Sequence, residues 1–197
     1  MNLPNKLSLV RIIIVPIIVL VMLFPYAQFG IDLGHIQIQY VTLPIKNIIV
    51  LGLFCVASFT DFLDGKIARK YNMVTSFGKF IDPIADKLLV NTVFIMLAVN
   101  GIVPVVGVLL MVWRDTIVDA IRMMVSAKGK IMAAGPLGKL KTVLQMVAII
   151  IILLNNLPFE LYRLAVADFI FWFATFISIM SGISYFIQAK DILLESK

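Results

Sequence analysis

Apolar residues run together along this chain in six long blocks separated by short polar segments, at approximately 7–29, 43–63, 82–99, 102–125, 138–154 and 164–188. Roughly twenty apolar residues cross the hydrocarbon of a bilayer as a helix, so each block predicts a membrane-spanning helix. The connections near 28–44, 100–104 and 155–163 are short and hold only Lys46 and Arg163 at their margins. If six helices alternate in direction, every other basic residue falls on the opposite side, except Arg114, which lies inside the fourth block. By the positive-inside rule that side, with both termini, is cytoplasmic. The expected fold is all-α: a polytopic bundle of six transmembrane helices in the cell membrane, with a polar cavity facing the cytoplasm. No Gly/Ser linker, low-complexity tract or internal repeat divides the chain, which reads as one domain over 1–197.

Composition agrees with a lipid solvent. Of 197 residues, 61% are hydrophobic and 14% charged, outside the range of soluble domains. The lone Cys55 excludes an internal disulfide or a thiolate metal site, and the lone His35 offers no second imidazole. The net charge of +6 gathers at the ends of apolar blocks and forms no single basic face, which points to topology and anionic lipid or phosphate and away from nucleic acid. Lys6 and Arg11 ahead of the apolar run 12–24 resemble the start of a signal peptide. No small-residue cleavage site follows, so the segment reads as a retained first span.

Candidate chemistry concentrates between Thr60 and Lys87, TDFLDGKIARKYNMVTSFGKFIDPIADK. Asp61 and Asp64 are three apart and Asp82 and Asp86 four apart, so each pair shares one face of a helix. Four carboxylates near hydrocarbon repel one another and are costly to desolvate, so a positive partner is required. Oxygen-only ligands favour hard cations such as Mg²⁺ or Mn²⁺. Two such ions about 4 Å apart suit displacement at phosphorus, because they neutralise a diphosphate and its leaving oxygen. Gly65 and Gly78 beside the aspartates allow close approach of backbone or substrate, with helix packing or capping as the alternative. Pro83 is expected in the first turn of the third helix, capped by Asp82.

The spacing D-x-x-D-G-x-x-A-R-x8-G-x-x-x-D-x-x-x-D, from Asp61 through Asp64, Gly65, Ala68, Arg69, Gly78 and Asp82 to Asp86, resembles the signature of the CDP-alcohol phosphatidyltransferase family at every fixed position. The resemblance implies that Asp61 and Asp82 bridge two metals, that Asp64 ligates one, and that Asp86 ligates the other and serves as general base. It implies that Gly65, Arg69 and Thr75 hold the cytidine diphosphate of CDP-diacylglycerol, with Ala68 and Gly78 beside them. CMP would be the leaving group, and a homodimer is expected on the same ground.

A second polar stretch runs from Trp113 to Ile149. Arg114 within an apolar block is costly unless paired or facing a polar cavity. Asp115, Asp119 and Arg122 fall on one helical face, where an internal ion-pair ladder is the plain reading. Lys139 and Lys141 read either as a positive-inside anchor or, with Arg114 and Arg122, as a pocket for a phosphorylated acceptor, with Thr142 and Gln145 supplying hydrogen bonds. The order Arg114, Arg122, then G-K-L-K-T-x-x-Q-M over 138–146 is similar to the family branch whose acceptor is sn-glycerol 3-phosphate. This chain has Arg114-Asp115 where that branch usually has Arg-Glu. The opening NLPNKLSLVR also resembles the family's start: Asn5, Ser8 and Arg11 would reach the nucleotide or acceptor phosphate, or else form a helix start with a basic anchor. Inositol phosphate or serine remain alternative acceptors. A cation-coupled transporter is the alternative from another class, since intramembrane Asp and Arg also mark ion pathways.

Overall fold

The structure, a computed structural model, describes residues 3–70, 76–129, 132 and 135–194. Six α-helices overlie the six apolar blocks: α1 (Leu3–Leu23), α2 (Ile45–Lys70), α3 (Ser76–Val99), α4 (Val105–Ala127), α5 (Pro136–Leu153) and α6 (Val166–Leu194). Helix α5 is the shortest at 18 residues, which at 1.5 Å per residue is roughly 27 Å, close to the hydrocarbon thickness. Among the described residues, three segments are long and apolar enough to cross a membrane: Lys6–Leu23, Pro136–Leu153 and Val166–Asp191. Helices α2, α3 and α4 carry most of the ionisable groups described below.

Proline sets several boundaries. Helix α1 stops at Leu23, short of the expected 29, because Pro25 disfavours helical backbone at Phe24. Helix α2 starts just after Pro44, α4 just after Pro104, and α5 opens with Pro136 behind an extended Gly135. Helix α3 begins at Ser76, six residues before the expected start, so Pro83 lies inside it and Asp82 does not cap it. A proline there leaves one helical carbonyl without its donor, a cost that a polar site can absorb.

The all-α expectation needs one correction. Strands β1 (His35–Ile38) and β2 (Val41–Pro44) form an antiparallel hairpin that pairs His35 with Pro44 and Ile38 with Val41. Its sequence alternates, HIQIQYVTLP, which is strand periodicity within a segment read as a loop. Gln39 turns the chain with φ 55°. The hairpin is tied down at that end of the bundle. The Tyr40 hydroxyl donates to the Glu160 carbonyl at 2.8 Å, and the Asn155 amide donates to the Thr42 carbonyl at 2.8 Å.

Helix α1 packs against α2 and α3, and α6 packs against α4 and α5, so the bundle is two three-helix groups joined chiefly through α3. One core runs through both: Ile18 of α1, Phe54 of α2, Phe94 and Leu97 of α3, Met111 of α4, Ile149 of α5 and Phe171 of α6 are buried together. The outer surface is apolar as well, with Leu20, Phe59, Trp113, Phe169, Phe176 and Ile187 exposed. A surface of that kind suits a membrane or a protein partner better than water. At Gly107 on α4, an added Cβ would stand 2.6 Å from the Phe171 ring, so the missing side chain lets α4 and α6 close.

Candidate functional site

Two polar clusters occupy the end of the bundle opposite the hairpin. The first is acidic. Asp61 on the last turns of α2 and Asp82 and Asp86 on α3 face the first turns of α1, whose apolar run forces its few polar residues inward. Ser8 is buried, and its hydroxyl donates to Asp82 Oδ1 at 2.6 Å. Arg11 is fully buried, and its Nη1 lies 2.8 Å from Asp61 Oδ1 while also pairing with Asp86 Oδ1. The carboxylates are partly exposed, and it is the buried guanidinium that requires them as counter-charges, which two helices supply.

The donor set fits a hard divalent cation: every group is a carboxylate oxygen, and Asp61 and Asp86 already converge on one positive nitrogen. Among the described residues, no three acidic, His or Cys side chains stand close enough to hold an ion by themselves. Arg11 holds the cationic position. Asp64, Gly65, Ala68 and Arg69 lie on α2 with side chains outside those described, as does the Asn5 side chain on α1, and Thr75 falls outside the described residues. Gly78 is buried on the first turn of α3.

The second cluster is basic and surrounds a cavity of about 250 Å³ between α3, α4, α5 and α6. Asp86 and Lys87 line it from α3, Arg114, Asp115 and Arg122 from α4, Lys139, Lys141, Thr142 and Gln145 from α5, and Tyr185 from α6. Five cations thus face two carboxylates, an excess that suits a dianion. Asp115 is buried and shared. Arg114 Nη1 donates to its Oδ1 at 2.9 Å, and Lys141 Nζ reaches the same oxygen from α5. Arg114 is fixed further by α6, with Nε donating to the Ser178 carbonyl at 3.1 Å and Nη2 to the Ser181 hydroxyl. Gly182 makes room for it: a Cβ there would stand 2.9 Å from Arg114 Cγ.

Lys87 pairs with Asp119 across α3 and α4. In place of the internal ladder expected of Asp115, Asp119 and Arg122, Asp115 pairs with Arg114 on its own helix and Lys141 on α5, and Asp119 pairs with Lys87 on α3. Arg122 donates to the Tyr185 hydroxyl and lies over its ring at 4.8 Å. Its Nε is buried without a hydrogen-bond partner among the described residues, and neither Arg122 nor Lys139 meets a carboxylate there. Thr142 donates to the Gly138 carbonyl, and Gln145 turns its amide to Met111 Sδ at 3.1 Å.

The structure therefore brings Arg114, Arg122, Lys139 and Lys141 to one cavity that also reaches Asp86. It takes Ser8 and Arg11 elsewhere, to the acidic cluster. Sequence reasoning missed Lys87, Ser178, Ser181 and Tyr185. The signal for α6 was available as a polar stripe at 178, 181 and 185 within an otherwise apolar helix.

A family model described as CDP-alcohol phosphatidyltransferase matches residues 1–180. A Bacillus subtilis (strain 168) protein named CDP-diacylglycerol–glycerol-3-phosphate 3-phosphatidyltransferase is 41% identical over 195 residues, covering 99% of this chain and 98% of its own length. A Rickettsia bellii protein of the same name is 39% identical over 96% of each chain, and one from Salmonella choleraesuis is 30% identical over 98% of each.

Proposed function

This chain belongs to the CDP-alcohol phosphatidyltransferase family, and on that premise we propose that it transfers the phosphatidyl group of CDP-diacylglycerol to sn-glycerol 3-phosphate. The products are phosphatidylglycerophosphate and CMP. The observation that carries the acceptor assignment is the single cavity lined by both Asp86 and the four cations Arg114, Arg122, Lys139 and Lys141. A phosphorylated alcohol fits it with its phosphate on the cations and its hydroxyl toward the carboxylate.

In this reading Asp86 removes the proton of the acceptor's primary hydroxyl as that oxygen attacks the phosphorus bearing diacylglycerol. The new oxygen–phosphorus bond forms as the bond to CMP breaks, and CMP leaves with the electron pair. Asp61, Asp64, Asp82 and Asp86 would hold two divalent ions, Mg²⁺ or Mn²⁺, which supply charge neutralisation at the diphosphate and the departing oxygen. Gly65, Ala68, Arg69, Thr75, Gly78 and Asn5 form the cytidine diphosphate side by family resemblance. Arg114 and Lys141 hold the acceptor phosphate from positions fixed by Asp115, and Arg122 and Lys139 offer charge not already taken by a carboxylate among the described residues.

The remainder of the reading places all six helices across the cell membrane, with both termini and the cavity on the cytoplasmic side, in support of which stands the charge asymmetry of the loops. The acyl chains of the donor lie among apolar helices, and the family resemblance implies a homodimer. No observation favours a cation-coupled transporter. Serine would leave the basic cavity without its anion, and inositol phosphate differs from glycerol 3-phosphate in bulk.

The test is CMP release by detergent-purified protein given CDP-diacylglycerol, with and without Mg²⁺, and sn-glycerol 3-phosphate, inositol phosphate or serine offered separately. Metal-dependent release with glycerol 3-phosphate alone is the expected result. Turnover with another acceptor overturns the acceptor assignment and leaves the reaction class standing.

A further inference from the structure

We propose that Tyr185 is a direct ligand of the acceptor's phosphate, supplying a neutral hydrogen-bond donor in the midst of the cations. The inference rests on the acceptor reading above. A phenol has one proton to give and two lone pairs to receive with. Both receiving positions of Tyr185 are engaged: Arg122 Nη2 donates to its oxygen, and the Gly135 backbone N–H donates to it at 3.2 Å. Its own proton meets no acceptor among the described residues. Tyr185 is 3% exposed yet lines the cavity, so the proton has the cavity to point into.

The surroundings hold the ring in that pose. Arg114 and Arg122 lie over it at 5.6 Å and 4.8 Å from its centroid. Gly138 at the start of α5 adjoins the hydroxyl, and a Cβ there would stand 3.4 Å from it, in ordinary contact. The hydroxyl oxygen thus bridges Arg122 on α4 and Gly135 before α5. Two cations polarise the phenol, and donation from N–H groups into its oxygen strengthens its own O–H as a donor. A phosphate oxygen in the cavity is the acceptor such a hydroxyl lacks. Serine has no phosphate to offer, so the same group contributes to choosing a phosphorylated alcohol.

The test is Tyr185→Phe, which keeps the ring and removes the hydroxyl, assayed beside the parent enzyme at saturating CDP-diacylglycerol. A hydrogen bond to a charged group predicts a KM for glycerol 3-phosphate raised on the order of ten-fold, with kcat and the KM for CDP-diacylglycerol nearly unchanged. To separate a direct contact from a displaced Arg122, the same change is made in an Arg122→Gln background. Direct donation raises KM again in that background, whereas action only through Arg122 leaves it unchanged and overturns the proposal. An unchanged KM in the single variant overturns it too, while the acceptor assignment survives. A parent enzyme that ignores glycerol 3-phosphate defeats the acceptor reading itself and takes this inference with it.

Discussion

Asp115→Asn tests whether one buried carboxylate organises the basic half of the site. Asparagine keeps the shape and removes the charge. In the parent, Arg114 and Lys141 both contact Asp115 Oδ1, and all three side chains are at most 11% exposed. Two unit charges about 5 Å apart repel by about 3 kcal/mol at an effective dielectric near 20, and removing one partner from a buried charge cluster costs about 3–5 kcal/mol. For a chain of this size, 1 kcal/mol corresponds to roughly 2–4 °C, so about 3 kcal/mol lowers the apparent Tm by roughly 6–12 °C. The assay is thermal unfolding of detergent-purified protein, with and without a second change, Lys141→Met. The methionine removes one of the two opposed cations and is expected to recover half or more of the lost Tm. It does not restore acceptor affinity, because Lys141 is itself a phosphate ligand in the proposed reaction. A single variant within about 2 °C of the parent would refute the reasoning, since it would mean that the cations are screened where the structure buries them.

Asp86→Asn is expected to cut kcat by at least about 100-fold, the lower range of a general base, with purified protein still monodisperse by size exclusion. Arg11→Gln vacates the nitrogen shared by Asp61 and Asp86, so Mn²⁺ affinity read by electron paramagnetic resonance of the free ion should rise; a fall would mean that Arg11 buttresses the carboxylates instead of competing for them. Gly107→Ala forces a Cβ to within 2.6 Å of the Phe171 ring, and overpacking of that kind costs about 1–3 kcal/mol, visible as a lower Tm with both KM values unchanged.

The helices were legible because each coincides with a long, largely apolar block, and the six blocks stand out without any periodicity analysis. Of the four aspartates singled out by their spacing, Asp61, Asp82 and Asp86 gather around Ser8 and Arg11 in the structure. What stayed hidden depends on neighbours distant in sequence. Ser8 and Arg11 precede Asp82 and Asp86 by 74 and 75 positions, and nothing local to α1 indicates that Arg11 turns into the carboxylates. Asp119 sits at ladder spacing from Arg122, yet Lys87 on α3 is closer. The hairpin was passed over because eight strand residues between spans look like a loop when the search is for twenty apolar residues, although their alternation was plain.

In the proposed reaction, selectivity follows from the charges at the two ends of the cavity. Helices α2 and α3 bring Asp61, Asp82 and Asp86 together, while α4 and α5 bring Arg114, Arg122, Lys139 and Lys141, and Asp86 lines the cavity on the boundary. A phosphorylated alcohol is bipolar in the same sense, with a dianion at one end and a proton to lose at the other. Only one orientation pairs the phosphate with Arg122 and Lys139 and delivers the hydroxyl to Asp86. The reverse orientation sets phosphate against the acidic cluster and leaves the buried Arg122 Nε, which has no hydrogen-bond partner among the described residues, without an anion; an unpaired buried group of this kind rejects a ligand far more strongly than a missing methylene does. The Lys87–Asp119 pair between α3 and α4 stands beside this cavity but is partly exposed, so the orientation of the acceptor rests on the charges that line the cavity and not on that pair.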